Sequence, residues 1–381
     1  MTYTHYLKEY ILDLLYIFTF DYSLEVWEKS GALERESKYF SILQEQNINI
    51  KILTYGDNSE YDYQENIENV EIIPIYKFIS KSNSKIIRYL KSFYIPFYIN
   101  SHYKFDVIKQ NQLLGSWVAI ILKFISGKKL LFRSGYDMYL FSLFEKKFFV
   151  KVLLYKLLTY FTLKYSDIYI VTSNSDKKFL NDKFKKIKNL EVISNWVETP
   201  ANIKPVSQRS SKNLLSVGRL EYQKNFELLI KSFSHSDFDI TIYGEGSKKK
   251  YLKKISEEEK VNVEFKKIIS NSKLQQVYQQ HTFFILTSFF EGNPKVLLEA
   301  MANGCVVIAS NISNHSEIIN HKVNGFLVNL NEKDIFNLVK EIIENKELSE
   351  EVSIKAVNFV RKNYSLLIHV KKEISLLKKL I

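Results

Sequence analysis

The 381 residues contain one cysteine, five prolines and eleven glycines. A lone Cys305 forms no internal disulfide and supplies no cysteine-based zinc site. So little proline and glycine excludes collagen-like or proline-rich linker character. Arginine is scarce as well: of 54 basic residues only Arg35, Arg88, Arg133, Arg209, Arg219 and Arg361 are Arg, so each is more informative than any Lys. Long apolar runs are missing. Asp13 interrupts Tyr10–Phe20 and Lys123 interrupts Trp117–Ile125, whereas a membrane span needs about 18 mostly apolar residues. The first residues, MTYTHYLKEY, lack the basic, apolar, small-residue order of a signal peptide. The expectation is a cytoplasmic protein, soluble or peripheral on the inner face of the cell membrane.

What is present is ordinary globular composition with a basic surplus. Hydrophobic residues make up 46% and charged residues 25%, which excludes a disordered chain. The length suggests two domains. The net charge is +12, and basic chains meet nucleic acids, anionic membranes or phosphorylated ligands. The 27 Phe and 25 Tyr could stack on bases. Scarce arginine and the lack of a recognition motif count against that alternative, a basic nucleic-acid-binding protein. No nucleic-acid partner is expected.

Short apolar strands alternate with helical patterns. Strands are expected at Ile11–Phe20, Ile48–Tyr55, Val70–Pro74, Asp106–Gln110, Lys129–Arg133, Asp167–Thr172 and Leu190–Ile193, with helices at Leu33–Glu45 and Leu113–Ser126. The polar stretch Thr199–Lys212 reads as a linker. After it the alternation restarts, with strands at Asn213–Val217, Asp239–Tyr243, Asn262–Phe265, Phe283–Thr287 and Val306–Ala309. Ser349 is a candidate N-cap for a helix to Tyr364. The fold class is therefore α/β, with two Rossmann-like domains, 1–198 and 199–364, facing each other across a cleft, followed by a helical pattern over 365–381. Phe144–Tyr165 mixes lysines with aromatic and aliphatic residues. It reads either as a helix docking on an anionic membrane or as a buried helix with snorkelling lysines at its rim.

Three patches carry candidate chemistry. In Phe283–Ala309, a strand ends, a loop holds Glu291, and a helix opens at Pro294 with Asn293 as its expected N-cap. Glu299 lies on that helix, so two carboxylates flank its start and can accept from sugar hydroxyls. In Asn213–Phe233, Gly218 allows a tight turn, and Arg219 and Lys224 stand where a diphosphate could sit. Tyr243–Ser247 (YGEGS) is a Gly-rich turn after a strand. Asp237 and Asp239 match the Asp-x-Asp of metal-dependent GT-A transferases, the other enzymatic alternative; the spacing also arises by chance.

In this order VGRLEYQKN, YGEGS, SFFEGNPKVLLEAMANGCVVIAS and NGFLV resemble the family 4 glycosyltransferases, retaining enzymes of the GT-B fold that use nucleotide sugars. The resemblance implies a hexosyltransferase in surface polysaccharide synthesis, with a UDP- or GDP-linked donor, a glycan or lipid-linked acceptor, no cofactor and no metal. Arg219 and Lys224 would hold the donor diphosphate, Glu299 the ribose, and Glu291 the transferred sugar. Catalysis would fall to Glu291, Arg219 and Lys224. Gly218, Gly244, Asn293, Pro294, Lys295 and Val296 would line the donor pocket, and the backbone near Ile268 would face the base. Gly31, followed by Ala32 where the family often has a second glycine, would lie near the phosphates, and the last helix, over 365–381, would pack back on the first domain. The family's frequent histidine is missing from Arg133-Ser134-Gly135-Tyr136-Asp137, leaving Arg133, Tyr136 and Asp137 as acceptor-side candidates.

Overall fold

The structure, a computed structural model, describes residues 12–135, 137–145, 147–185 and 187–381. The chain divides into two units. The first comprises Met1–Thr172, Asp176–Ile193 and Val370–Ile381, the second Ser173–Ser175 and Ser194–His369. The joints thus fall at 193/194 and 369/370, a few residues from the divisions at 198/199 and 364/365 read from the sequence.

In the first unit β1 (Leu12–Ile17) leads to α1 (Leu24–Lys29), α2 (Ala32–Gln44), β2 (Ile48–Thr54) and β3 (Val70–Pro74). Then come α3 (Lys85–Ser92), α4 (Ile95–His102), β4 (Val107–Asn111), α5 (Ser116–Ser126) and β5 (Lys129–Ser134). The run closes with α6 (Met138–Phe144), α7 (Phe149–Tyr165), β6 (Ile168–Val171), α8 (Asn174–Lys183) and β7 (Leu190–Val192). The strands form one parallel sheet in the order β3-β2-β1-β4-β5-β6-β7.

The second unit repeats the scheme. It contains β8 (Asn213–Val217), α9 (Phe226–Ser232), β9 (Asp239–Tyr243), α10 (Lys249–Glu258), β10 (Asn262–Lys266) and α11 (Asn271–Tyr278). There follow β11 (Phe283–Leu286), α12 (Lys295–Ala302), β12 (Val306–Ser310), α13 (Ser313–Ser316), β13 (Phe326–Val328), α14 (Glu332–Glu344) and α15 (Lys346–Asn363). Its parallel sheet runs β10-β9-β8-β11-β12-β13. Strand side chains alternate between two cores, which is why these strands read as unbroken apolar runs. Phe283 and Ile285 pack with α9 and α14, whereas Phe284 and Leu286 pack with α11, α12 and α15. Both units are Rossmann-like.

The last helix, α16 (Leu366–Leu377), passes from the second unit into the first. There Glu373, wholly buried, pairs with Lys109 on β4 and accepts from the Tyr39 hydroxyl of α2. Lys109 Nζ also donates to Tyr39 Oη at 2.6 Å. Burial pushes the Lys109 ammonium below its ordinary range, opposed by the Glu373 charge.

Three local expectations are corrected. Thr199–Lys212 is not a free linker. Val206 is buried and its amide donates to Glu350 Oε2 at 3.0 Å, while Arg209 reaches the carbonyl of Asn303 at 2.9 Å. Asn345, not Ser349, caps α15, accepting from the Leu348 amide; Ser349 instead donates to the Ile342 carbonyl. Several helices went unpredicted, α3, α4, α6 and α8 among them: apolar residues of the first three point partly outward, and α8 has only Phe179 and Leu180 to mark it.

Candidate functional site

In open parallel sheets ligands gather at the carboxyl ends of the strands where strand order reverses. In the second unit that point lies between β8 and β11, neighbours in the sheet with β9 and β10 between them in sequence. The segments leaving these two strands carry Arg219 and Lys224 on one side and Glu291 on the other. They are tied together. Thr287 Oγ1 donates to the Asn225 carbonyl at 2.9 Å, and the Phe289 amide to that of Gln223 at 2.9 Å. Asn225 makes the turn into α9 in the left-handed conformation, φ 49°.

Glu291 is buried and fully engaged. Lys224 Nζ lies 2.5 Å from its Oε1, Ser288 Oγ donates to the same oxygen at 2.6 Å, and Gln223 Nε2 donates to Oε2 at 3.2 Å. Gln223 Oε1 accepts from Arg219 Nη2 at 3.2 Å. One cation thus meets the carboxylate directly and a second is joined to it through Gln223, leaving the cluster net positive. Arg219 is exposed, while Lys224 and Glu291 are mostly sheltered from water. Sequence reasoning missed Gln223 and Ser288, since nothing marks an ordinary polar side chain in a loop. It also passed over His315. Ser310 Oγ donates to the Ser288 carbonyl at 2.6 Å, and the Ser310 carbonyl lies 2.8 Å from His315 Nδ1. That carbonyl makes Nδ1 the protonated nitrogen. Nε2 is buried without a partner among the described residues, and burial pushes the imidazole down to about 4.

Glu299 on α12 stands apart from this cluster. Tyr278 Oη donates to its Oε2 at 3.3 Å, and Lys295 Nζ lies 3.9 Å from Oε1. Lys295 Nζ also sits 5.5 Å from the centre of the Trp196 ring. Asn293 is not the cap of α12. Its Oδ1 accepts from the Asn195 amide at 3.1 Å, and its carbonyl from Asn195 Nδ2 at 2.9 Å. Pro294 is the capping residue instead, its carbonyl accepting from the Leu297 amide at 3.1 Å. The Val296 amide, in the first turn, has no partner within the helix by position.

The glycines serve close backbone approach. A Cβ on Gly244 would meet the Gly218 oxygen at 1.9 Å. Both amides are spent on the sheet, Gly218 on the Tyr243 carbonyl and Gly244 on that of Lys266, so neither points at a ligand. Ile268 is exposed beyond β10.

The first unit's candidates lie in different settings. Gly31 caps α2 in the left-handed conformation, φ 69°, and a Cβ there would meet nothing within 4 Å. Arg133 is buried and feels the charges of Glu373 and Glu36, so it belongs to the Lys109 cluster rather than to an open surface. Asp137 is buried and caps α6, accepting from the Leu140 amide at 2.7 Å. Burial pushes its carboxyl up to about 7, with Asp176 adding to the rise. Tyr136 lies outside the described residues. The Asp-x-Asp pair is structural: Asp237 pairs with Lys212, and Asp239 accepts from Asn262 Nδ2 at 2.8 Å.

Solved structures share this architecture. Anabaena HepE in complex with UDP and glucose is 16% identical, superposes with a TM-score of 0.75, and matches over 97% of this chain and 100% of that one. The fold is GT-B. That fold overturns the metal-dependent GT-A alternative built on Asp237 and Asp239. Residues 201–359, within the second unit, match the family profile of the glycosyl transferases group 1. An uncharacterized glycosyltransferase of Haemophilus influenzae is 27% identical over 206 residues, 52% of this chain and 57% of that protein. The Escherichia coli UDP-Gal:alpha-D-GlcNAc-diphosphoundecaprenol alpha-1,3-galactosyltransferase is 22% identical over 342 residues, 84% of this chain and 86% of that one. Other curated relatives are matched over 33% and 34% of their length.

Proposed function

We propose that this chain is a retaining glycosyltransferase of family 4, moving a hexose or related sugar from a UDP- or GDP-linked donor to a glycan or lipid-linked acceptor in surface polysaccharide synthesis. The carrying observation is the Lys224–Glu291 pair, with Arg219 joined to it through Gln223, at the carboxyl ends of β8 and β11 in the segment that matches the group 1 profile. The E. coli relative's diphosphoundecaprenol substrate supports a lipid-linked acceptor, and HepE with UDP and glucose supports a nucleotide-sugar donor. Such an acceptor is met at the inner face of the cell membrane.

Transfer builds positive charge at the anomeric carbon and negative charge on the departing nucleoside diphosphate. Arg219 and Lys224 supply cations for that leaving group, and their attraction grows as its charge develops. Before donor binds, Lys224 has Glu291 as its counter-charge. When a diphosphate takes up Lys224, the Glu291 carboxylate becomes available to sugar hydroxyls, while Ser288 and Gln223 keep it oriented. Glu299 would accept from the ribose and the Val296 amide from a phosphate oxygen. Acceptor recognition falls to the first unit, with Asp137 in that reading a cap that shapes the segment after β5.

A thermal-shift series with UDP, GDP, CDP and ADP tests this reading. One nucleoside diphosphate should stabilise the protein selectively, by about 2.7 kcal/mol at a hundred times its Kd, and Arg219→Ala should weaken the effect. No stabilisation by any of the four rejects it.

A further inference from the structure

We infer that the outer side of the helical layer α3, α4, α5 and α7 is a docking face for a bilayer that contains anionic lipid. Helix α7 packs inward through Tyr155, Thr159, Thr162 and Leu163, one stripe at i, i+4, i+7 and i+8. A surface helix is ordinarily polar on the opposite side. Here that side carries Phe149, Leu153, Leu157 and Phe161, all exposed, and Phe149 and the preceding Phe148 are 73% and 80% exposed. The buried-helix reading of this stretch is thereby corrected: its lysines do not rim a covered face.

The second stripe lies on α3 and α4, where Ile86, Leu90, Tyr94 and Phe97 are exposed. Helix α5 joins the two. Trp117 Nε1 on α5 donates to Ser92 Oγ of α3 at 2.8 Å, and Thr162 Oγ1 on α7 donates to Ser116 Oγ of α5 at 3.0 Å. The exposed Phe124 at the end of α5 lies 5.1 Å, centre to centre, from the Tyr165 ring.

Charge selects the occupant. Residues 72–105 hold five lysines and one arginine and no acid, and residues 147–166 hold four lysines and no acid. Arg88 is neutralised by Asp21; Lys151, Lys156 and Lys164 are exposed beside the apolar stripe of α7. Apolar side chains that enter the headgroup boundary, with lysines reaching lipid phosphates, suit an anionic membrane. A second copy of the chain would set lysine against lysine. That the face serves transfer to a lipid-linked acceptor rests on the reading above; the docking itself does not.

The test is flotation of the full chain with vesicles of phosphatidylcholine alone and of phosphatidylcholine mixed with phosphatidylglycerol, without donor or acceptor. Binding should require phosphatidylglycerol and weaken with salt. Lys151→Gln, Lys156→Gln and Lys164→Gln together should lower partitioning roughly a hundredfold, at about 1 kcal/mol for each lysine. Phe149→Ser with Leu153→Ser and Leu157→Ser should abolish it, with thermal melting confirming the fold of both variants. Absent binding at low salt, equal binding to both vesicles, or undiminished binding by the lysine variant would overturn the inference. Self-association abolished by the serine variant, without vesicle binding, would assign the face to a second copy and overturn it as well. Vesicle binding is read without turnover, so its failure leaves the transferase reading standing.

Discussion

At the scale of single residues, the site is defined by a carboxylate held by three side chains, two of which, Lys224 and Gln223, stand 67 and 68 residues away in the sequence. Glu291 and Lys224 are legible as candidates because each follows an apolar strand at a strand-to-helix turn. Gln223 is not, because its role arises only when β8 and β11 become neighbours, and Ser288, in the same loop as Glu291, is an ordinary polar side chain that nothing marks. A sheltered ion pair also carries an energetic signature: losing one partner leaves the other charge uncompensated. Glu291→Gln and Lys224→Met should each cost about 3 kcal/mol of stability, and the double variant clearly less than their sum, with coupling above about 1 kcal/mol. Denaturant melts of the four proteins measure this. Asp137 gives a pH signature. Its carboxyl is raised from 3.8 to about 7 in the fold, so the folded chain keeps a proton that the unfolded chain has released. Its contribution to stability is therefore full below pH 3.8 and is lost as pH rises through about 7. Asp137→Asn should match the native melting temperature in acid and exceed it above neutral pH.

At the scale of elements, parallel strands such as Phe283–Leu286 and Val306–Ser310 are buried on both faces, so they stand out as apolar runs, and most strands fall within a few residues of their expected bounds. Helices α3 and α4 did not yield to the same logic, because their apolar residues point outward as well as inward and blur the helical period, whereas α7 lies within the helix expected over Phe144–Tyr165. The α12 cap was misread because Asn293 has a stronger claim on it: a reciprocal pair of hydrogen bonds with Asn195, 98 residues earlier. Helix α16 is held by a contact of still longer range, Glu373 with Lys109, 264 residues apart. Glu373→Ala should destabilise the first unit by about 3–5 kcal/mol, since Lys109 is then left buried without its counter-charge. Glu373→Ala with Lys109→Met should recover part of that loss in thermal melts; equal melting of the single variant and the native chain would contradict the account.

At the scale of the whole molecule, two Rossmann-like units in one chain follow from the repeated strand–helix alternation, and the GT-B architecture is shared with solved structures at very low identity. The candidate site lies in the second unit, where residues 201–359 match the group 1 profile. The first unit contributes a buried ionic cluster on one face of its sheet and an exposed basic, aromatic layer on the other. The central claim is that Lys224 and Glu291 perform sugar transfer rather than merely holding two loops together. Glu291→Gln combined with Lys224→Met removes both charges at once, leaving neither uncompensated, so its turnover can be read on a folded protein. The decisive measurement is the rate at which this double variant releases nucleoside diphosphate from a nucleotide sugar, against the native chain under identical conditions. The account predicts a fall of at least about a hundredfold, and a folded double variant that turns over at the native rate would contradict it.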